Sequence, residues 1–344
     1  MGRIRNKDIA EMVGVSRTAV TQVLNGSRPG CVSAEKREAI FRIAREYNYL
    51  PDFAAQVLGS GRTRTIGMPM PWMQNLGSSP NISELLAHLT MMLKQAGYML
   101  TLQPVANDDP QTICREIEQL IRSGRVDGIF CNACFIDPEI VSALQSTRIP
   151  AVTYALSSDN TQLCRDISGV CFDWKPALST LIGSLQAYGP TAAVFAKPLG
   201  GSQNRIGFLQ NVPDLAAINM KRDFFFPWDN AATAMVQVLE NWECFSRFRC
   251  WIMQNDRMAN GAANVVRQKG LVPGKDILIA GFDNLEEGRD EPFFTTVDDP
   301  IAGMAQSCVE LLMDQLGGKN CGVKHVKLPS NLIYRASTAP VNPE

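Results

Sequence analysis

The sequence predicts an all-α head followed by a larger α/β body of two lobes, and three observations predict this fold class. About the first 60 residues carry helical periodicity and no strand pattern. From residue 65 onward, short apolar strands alternate with amphipathic helical segments, which is typical of parallel sheets with right-handed crossovers. The alternation lasts ~270 residues, more than one sheet comfortably holds, so the body should divide into two lobes with a cleft between them.

Charge is distributed unevenly along the chain. Residues 1–64 contain 11 Lys/Arg and 6 Asp/Glu, whereas the remaining 280 residues contain 22 and 28. A basic segment on an acidic body fits a polyanion-binding head, with chance unevenness as the alternative.

No apolar run reaches the ~18 residues of a membrane span, and the first 30 residues lack the continuous apolar stretch of a signal peptide. We therefore expect a cytoplasmic protein without a membrane partner.

The segment Lys7–Asn25 predicts two short helices joined by a tight Gly14–Ser16 turn. On a helical wheel the second helix has an apolar side that can dock on the first, formed by Ala19, Val20, Val23 and Leu24. Its other side is polar and is formed by Arg17, Thr18, Thr21, Gln22 and Asn25. Such a row of side chains can hydrogen-bond base edges in a major groove, as the recognition helix of a helix-turn-helix does.

A third helix, capped by Ser33, is predicted to bury Ile40, Ile43, Ala44 and Tyr47. A short helix follows over 51–59 and needs a partner surface to form. The basic, glycine-containing stretch Gly59–Thr65 is the expected domain boundary.

The body contains nine candidate strands and at least five helices. The strands are Thr65–Met70, Tyr98–Gln103, Val126–Cys131, Ala151–Tyr154, Gly169–Phe172, Ala192–Ala196, Asp223–Phe226, Arg249–Met253 and Ile277–Gly281. The helices are Ile82–Ala96, Gln111–Arg122, Ala177–Ala187, Ala231–Trp242 and Met258–Gln268. The Pro-rich tail 336–344 is unsuited to a coiled coil, so nothing predicts assembly beyond a dimer.

The chain resembles the lactose/galactose-repressor family of bacterial transcription regulators over nearly its whole length. The head carries the resemblance through Asp8-Ile-Ala, Gly14-Val-Ser, Val20, Asn25-Gly26, Val32-Ser33, Tyr49-x-Pro51 and Ala55-Gln-Val-Leu58. The body carries it through Ile66-Gly67, Gly97-Tyr98, Val126-Asp-Gly128, Asn255-Asp-x-x-Ala259-x-Gly261, Gly281-Phe-Asp283 and Thr295-Thr-Val297. Two such blocks, in order and some 200 residues apart, are highly specific.

The resemblance implies an all-α helix-turn-helix head over 1–50, a hinge helix and linker over 51–64, and a body over 65–338 like the periplasmic binding proteins. Its lobes would comprise 65–167 with 297–320, and 168–294 with 321–338. It further implies a repressor that binds a pseudo-palindromic operator in double-stranded DNA as a homodimer. A small-molecule effector, a sugar or a related metabolite, would bind between the lobes and control it.

Ten residues are candidates for contact with DNA. The resemblance places Arg17, Thr18 and Gln22 where the family reads bases, and the chemistry agrees because arginine pairs with guanine and glutamine with adenine. Ser16, Thr21 and Asn25 suit phosphate contact or turn closure better than base readout. Arg3, Arg5 and Arg28 are candidate phosphate contacts. Leu58 lies where the family inserts a leucine between base pairs in the minor groove; packing against its own body is the alternative.

Eight residues are candidates for effector contact. Ligands of open parallel sheets bind at the carboxyl ends of strands, where Asn132, Tyr154, Asn255 and Asp283 lie. Asn255 and Asp283 match effector positions of the family, although Asp283 could instead cap the segment that follows. Trp228 and Trp72 are candidates for stacking on the effector, or for the core. Relatives anchor a sugar with an arginine where this chain has Asn204, with Arg205 one step over, so the effector's identity stays open.

The sequence offers little support for catalysis or for a cofactor. It has two histidines, no G-x-S-x-G and no Walker-type phosphate loop. Cys131-Asn-Ala-Cys134 is a lone C-x-x-C, and the ten cysteines are expected to be mostly buried free thiols. We therefore predict a non-enzymatic regulator without cofactor or metal. The alternative is a cytoplasmic solute-binding or sugar-modifying protein without a DNA role.

Overall fold

The structure, a computed structural model, forms two compact units, 1–63 and 64–344. It describes residues 4–24, 32–49, 57, 60–70, 80–105, 110–133, 136–156, 164–195, 208–219, 231–285, 292–319 and 322–338. The predicted hinge helix therefore lies outside the described residues apart from Val57, whose carbonyl accepts a hydrogen bond from Gly61 N at 2.8 Å.

The described part of the first unit contains three helices: α1 (Asn6–Val13), α2 (Arg17–Leu24) and α3 (Ala34–Glu46). Gly14 ends α1 in the left-handed conformation (φ +65°), where Ala10 O accepts a hydrogen bond from Val15 N at 3.0 Å. The hydroxyl of Ser16 caps α2 by accepting from Ala19 N at 3.1 Å. The two predicted helices and their turn are thus explained by local capping chemistry.

The core of this unit joins one apolar face from each helix, with Ile9, Val20 and Ile40 fully buried. The prediction was wrong for Tyr47, which is 48% exposed. Because α3 ends at Glu46 and Asn48 has a positive φ (+46°), the chain turns back and Tyr49, not Tyr47, packs against the core.

The first lobe of the body is built on a six-stranded parallel sheet of order β11-β5-β4-β3-β1-β2. Its strands are β1 (Thr65–Met70), β2 (Met99–Pro104), β3 (Gly128–Asn132), β4 (Ala151–Leu156), β5 (Ser168–Asp173) and β11 (His325–Pro329). Its helices are α4 (Pro80–Gln95), α5 (Pro110–Arg122), α6 (Pro138–Thr147) and α11 (Ile301–Leu316). Apolar cores lie on both faces of the sheet.

The second lobe is built on a sheet of order β12-β10-β9-β8-β6-β7, parallel except for the β10–β12 pair. Its strands are β6 (Thr191–Phe195), β7 (Leu215–Asn219), β8 (Cys250–Met253), β9 (Leu278–Phe282), β10 (Thr295–Asp298) and β12 (Asn331–Ile333). Its helices are α7 (Lys175–Gln186), α8 (Ala231–Glu240), α9 (Trp242–Phe245) and α10 (Asp256–Gln268).

The predicted lobe limits need correction. The limits assigned 168–173 and 325–329 to the second lobe, but β5 and β11 pair with each other in the first sheet, where Gly169 N donates to Lys324 O at 2.9 Å. β10 belongs to the second sheet. Strand pairing is non-local, so hydrophobic periodicity identifies a strand without identifying its sheet.

Three short crossings connect the lobes, at Trp174, at Asp299–Pro300 and at Ser330. They are tied together, because Ser330 N donates to Asp173 O at 3.2 Å and the Ser330 hydroxyl donates to the Asp299 carboxylate. Both Ser330 and Asp299 are 8% exposed. The crossings leave the carboxyl ends of β5, β10 and β11, so the carboxyl edges of both sheets lie on the side where the lobes join.

The C-terminal segment Arg335–Thr338 is packed into the second lobe, with Ser337 and Thr338 at 0% and 3% exposure. Ser337 N donates to Phe293 O at 3.0 Å, and Ser337 O accepts from Ile279 N at 3.2 Å.

Within the described part of the chain, no helix combines the length and the apolar character that crossing a membrane would require.

Candidate functional site

α2 presents its polar row outward in the first unit. Val20 and Val23 are buried at 0% and 4% exposure, while Arg17 and Thr18 are exposed and Gln22 is half-buried. The helical wheel therefore placed the two faces of α2 as the structure does. Side chains with hydrogen-bond donors and acceptors therefore lie at the surface along one side of α2.

Thr21 holds α2 against α1. Its hydroxyl accepts a hydrogen bond from Asn6 Nδ2 at 2.6 Å and donates to Arg17 O at 3.0 Å. Asn6 Nδ2 also lies 3.4 Å from Arg17 O. This engagement fits the turn-closing role considered for Thr21 and makes Asn6, which sequence reasoning missed, part of the support for the polar row.

Lys36 of α3 is a second support that sequence reasoning missed. Its Nζ donates to Gly14 O at 3.1 Å, at the turn between α1 and α2. Arg5 is exposed, and its backbone N donates to Asp8 Oδ2 at 2.8 Å, which fixes the start of α1. Four predicted DNA contacts lie outside the described residues: Arg3, Asn25, Arg28 and Leu58.

In the body, four candidate effector residues lie at the carboxyl edges of the two sheets. Asn132 ends β3 and is paired in register with Tyr154 of the neighbouring β4. Tyr154 is 7% exposed, whereas Asn132 is half-buried. Asn255 and Asp283 follow the neighbouring strands β8 and β9 of the second sheet. Because the carboxyl edges of both sheets lie on the side where the lobes join, the topology places all four on that side.

Asn255 is the N-cap of α10, where its Oδ1 accepts from Met258 N at 2.9 Å, and it is 4% exposed. Asp256 is the first residue of the helix, and its Oδ2 accepts from Leu285 N at 2.9 Å across the turn that follows β9. A Cβ on Gly281 would lie 2.9 Å from Asp256 Cα, so only glycine leaves room for this aspartate.

Asp283 is half-buried and has φ +81°, and Asn284 follows with φ +48°. Asp283 N donates to Val297 O at 3.0 Å, so the residue belongs to a hydrogen-bonded turn. The other four effector candidates, Trp72, Asn204, Arg205 and Trp228, lie outside the described residues, as does the predicted strand Asp223–Phe226.

Cys131 of the C-x-x-C does not have the environment of a reactive thiol. Burial raises the pKa of Cys131 to about 12, with a smaller contribution from nearby Cys164, and Cys131 is 1% exposed. A thiol that resists ionisation is a poor metal ligand and a poor nucleophile; Cys134 lies outside the described residues. In the described ranges, no three His, Cys, Asp or Glu side chains are grouped so as to hold a metal ion.

Both units of the chain contain a segment that is similar to known protein families. Residues 7–52 match the model of bacterial regulatory proteins, lacI family, and residues 215–338 match the periplasmic binding protein-like domain. The chain is 26% identical over 344 residues to the transcriptional repressor PurR of Pectobacterium atrosepticum, covering 97% of this chain and 96% of that protein. It is 25% identical over 350 residues to the transcriptional regulator MalR of Clostridium butyricum, covering 96% and 98%.

Solved structures share the fold. The lac repressor dimer bound to operator and the anti-inducer ONPF superposes with a TM-score of 0.79 at 22% identity, covering 98% of this chain and 99% of that one. The regulator CelR in complex with cellobiose gives 0.59 at 19% identity, covering 97% and 100%. A LacI-family regulator of Enterococcus faecium with bound ribose gives 0.60 at 20% identity, covering 81% and 100%.

Proposed function

We propose that this chain, which belongs to the lacI family of bacterial regulatory proteins, is a sequence-specific DNA-binding repressor that a small-molecule effector controls. The observation that carries the proposal is the polar face of α2: Arg17 and Thr18 are exposed, while Val20 and Val23 on the opposite face are buried in the core of the first unit. A surface helix of this kind is the element that enters a major groove.

Thr21 is proposed to support α2 through its bonds to Asn6 and Arg17, and the other nine candidates each have a proposed role at the DNA. Arg17 pairs with guanine and Gln22 with adenine, and each good pair discriminates by about 1–3 kcal/mol. Thr18 contributes to base readout, while Ser16 and Arg5 contact phosphates. The predicted contacts Arg3, Asn25 and Arg28 add phosphate interactions, and Leu58 opens a base step in the minor groove.

A homodimer would place two such helices on the half-sites of a pseudo-palindromic operator. The named relatives are transcriptional regulators, so we infer that the protein is not an enzyme, works without a cofactor and acts in the cytoplasm. The alternative is a cytoplasmic solute-binding or sugar-modifying protein, which would show no preference among DNA sequences.

Replacing Arg17 by alanine should relax base preference at one operator position. The guanidinium makes its bonds to one base, so preference there should fall by about 1–3 kcal/mol while the other positions keep theirs. Selection of the operator from a random DNA library, followed by affinity measurements on single-base variants, would measure this. Arg5→Ala is the matched control, since losing a phosphate contact weakens all sequences alike. Equal weakening of every sequence by both variants would contradict the role of Arg17.

The effector is proposed to be a sugar or a related metabolite bound between the lobes by Asn132, Tyr154, Asn255 and Asp283, with Trp72, Asn204, Arg205 and Trp228 as further candidates. Two structures with the same fold were solved with cellobiose and with ribose, which favours carbohydrates. Asparagine and aspartate suit sugar hydroxyls because they accept, and asparagine also donates, in fixed directions.

One compound of a panel of D-ribose, cellobiose, D-glucose 6-phosphate, D-gluconate and hypoxanthine should raise the melting temperature. Saturation at about 100 times Kd adds about 2.7 kcal/mol, and each kcal/mol raises Tm by roughly 2–4 °C for domains of this size. Asp283→Asn should reduce the shift. Asp214→Asn is the matched control, because Asp214 also has positive φ (+57°) in the same lobe, before β7. The same shift in both variants would remove Asp283 from the site.

A further inference from the structure

The turn Asp283–Leu285 after β9 is held at every backbone N–H. Asp283 N donates to Val297 O at 3.0 Å, Asn284 N to Thr296 Oγ1 at 3.2 Å, and Leu285 N to Asp256 Oδ2 at 2.9 Å. Two successive non-glycine residues in this turn have positive φ, which persists only where the surroundings over-determine it. The conformation that presents Asp283 therefore depends on its neighbours.

Arg335 is the neighbour whose side chain bonds both this turn and the segment before β10. Its Nη2 donates to Asn284 Oδ1 at 2.6 Å and its Nη1 donates to Phe294 O at 3.0 Å. Asn284 is 7% exposed, so water competes poorly for this bond. The planar guanidinium thus bridges the turn and the residue preceding β10.

The backbone of Arg335 is fixed in turn by Thr295. The Thr295 hydroxyl accepts from Arg335 N at 2.8 Å and donates to Arg335 O at 3.1 Å. It also accepts from the Thr338 hydroxyl at 2.5 Å, while Thr295 N donates to Ser337 Oγ at 2.8 Å. Thr295 is fully buried and uses its one donor and two acceptor positions. Residues 335–338 are therefore a rigid base for the guanidinium.

We propose that Arg335 is a positioning residue for effector binding, which holds the turn Asp283–Leu285 so that Asp283 faces the space between the lobes. The proposal rests on the proposed function, in which Asp283 contacts the effector. It makes the last described residues of the chain part of the support for the site. Lysine cannot replace the arginine fully, because one ammonium does not reproduce two fixed N–H directions.

Hydrogen–deuterium exchange of the full-length protein tests the holding role. In Arg335→Met, the amides of Asn284 and Leu285 should exchange at least about tenfold faster, with a smaller increase in Arg335→Lys. The amides of Met258 and Ala259 in α10 should keep their rates, because a local loosening does not open the helix. Arg249→Met is the matched control: Arg249 also donates to a backbone carbonyl, that of Asp276, in the same lobe. Unchanged turn amides, or equal acceleration of α10, would overturn the proposal.

Binding by titration calorimetry tests the link to the effector, using the panel compound that shifts the melting temperature of the parent most. Its affinity should fall at least about tenfold in Arg335→Met, while operator affinity without the compound stays within about twofold. Faster turn exchange with unchanged affinity would overturn the link. If no compound binds the parent, the effector proposal fails by itself, while the exchange rates still decide whether Arg335 holds the turn.

Discussion

Gly261→Ala is expected to destabilise the second lobe by about 3–5 kcal/mol. Gly261 lies in α10 where this helix crosses the first residue of α8. A Cβ at this position would overlap Ala231 O and would lie 2.8 Å from the carbonyl carbon. Backbone atoms cannot move aside as the end of a flexible side chain does, so the two helices would have to separate.

Urea unfolding followed by circular dichroism would measure the loss as a lower midpoint. Gly183→Ala is the matched control, since Gly183 lies in α7 of the same lobe and its added Cβ would meet no atom within 4 Å beyond the neighbouring backbone of its own helix. Alanine there should stabilise the protein by about 0.5–1 kcal/mol, because it removes the conformational freedom of glycine in the unfolded chain. Similar losses from both substitutions would contradict the explanation by helix contact.

Gln315→Ala is expected to destabilise the first lobe by about 2–4 kcal/mol. Gln315, near the end of α11, accepts from Ala151 N at 3.0 Å and donates to Ala151 O at 3.1 Å. It thereby serves both backbone groups of the first residue of β4, which is 8% exposed. Alanine would leave a donor and an acceptor buried without these bonds, and each costs about 1–3 kcal/mol.

Gln306→Ala on the same helix separates this effect from helix propensity. Gln306 is exposed and bonds only a side chain one turn away, Glu310 at 2.9 Å, so its loss should cost less than about 0.5 kcal/mol. Gln315→Glu should also destabilise, because a carboxylate keeps the acceptor and repels Ala151 O. Chemical denaturation measures all three variants. A Gln315→Glu protein as stable as the parent would contradict the two-bond account.

The sequence predicted the elements better than it predicted their partners. β1 was predicted with its observed bounds, Thr65–Met70, because it is mostly apolar and all six of its residues are buried. β7 was missed: Leu215–Asn219 is rich in alanine and has low strand propensity, so the phenylalanine run that follows drew the prediction to 223–226. α11 was also missed, although its burial follows helical spacing.

In the candidate sites too, local features could be predicted from the sequence, whereas contacts between distant residues could not. The polar row of α2 follows from helical periodicity alone, which is a local property of the sequence. The bonds Asn6–Thr21, Lys36–Gly14 and Arg335–Asn284 join residues 15 to 51 positions apart. No periodicity encodes such pairs, because the partners meet only after the helices and strands have packed.

The tied crossings at residues 174, 299–300 and 330 determine how the body can move. The three covalent links lie close together, because Ser330 bonds to both Asp173 and Asp299, so rotation of the lobes about them should be easier than their separation. Under the proposed function, a metabolite bound between the lobes would rotate one lobe relative to the other, and the displacement would grow with distance from the crossings. The far ends of the lobes would travel most, so a small change at the ligand becomes a large one at the periphery of the body.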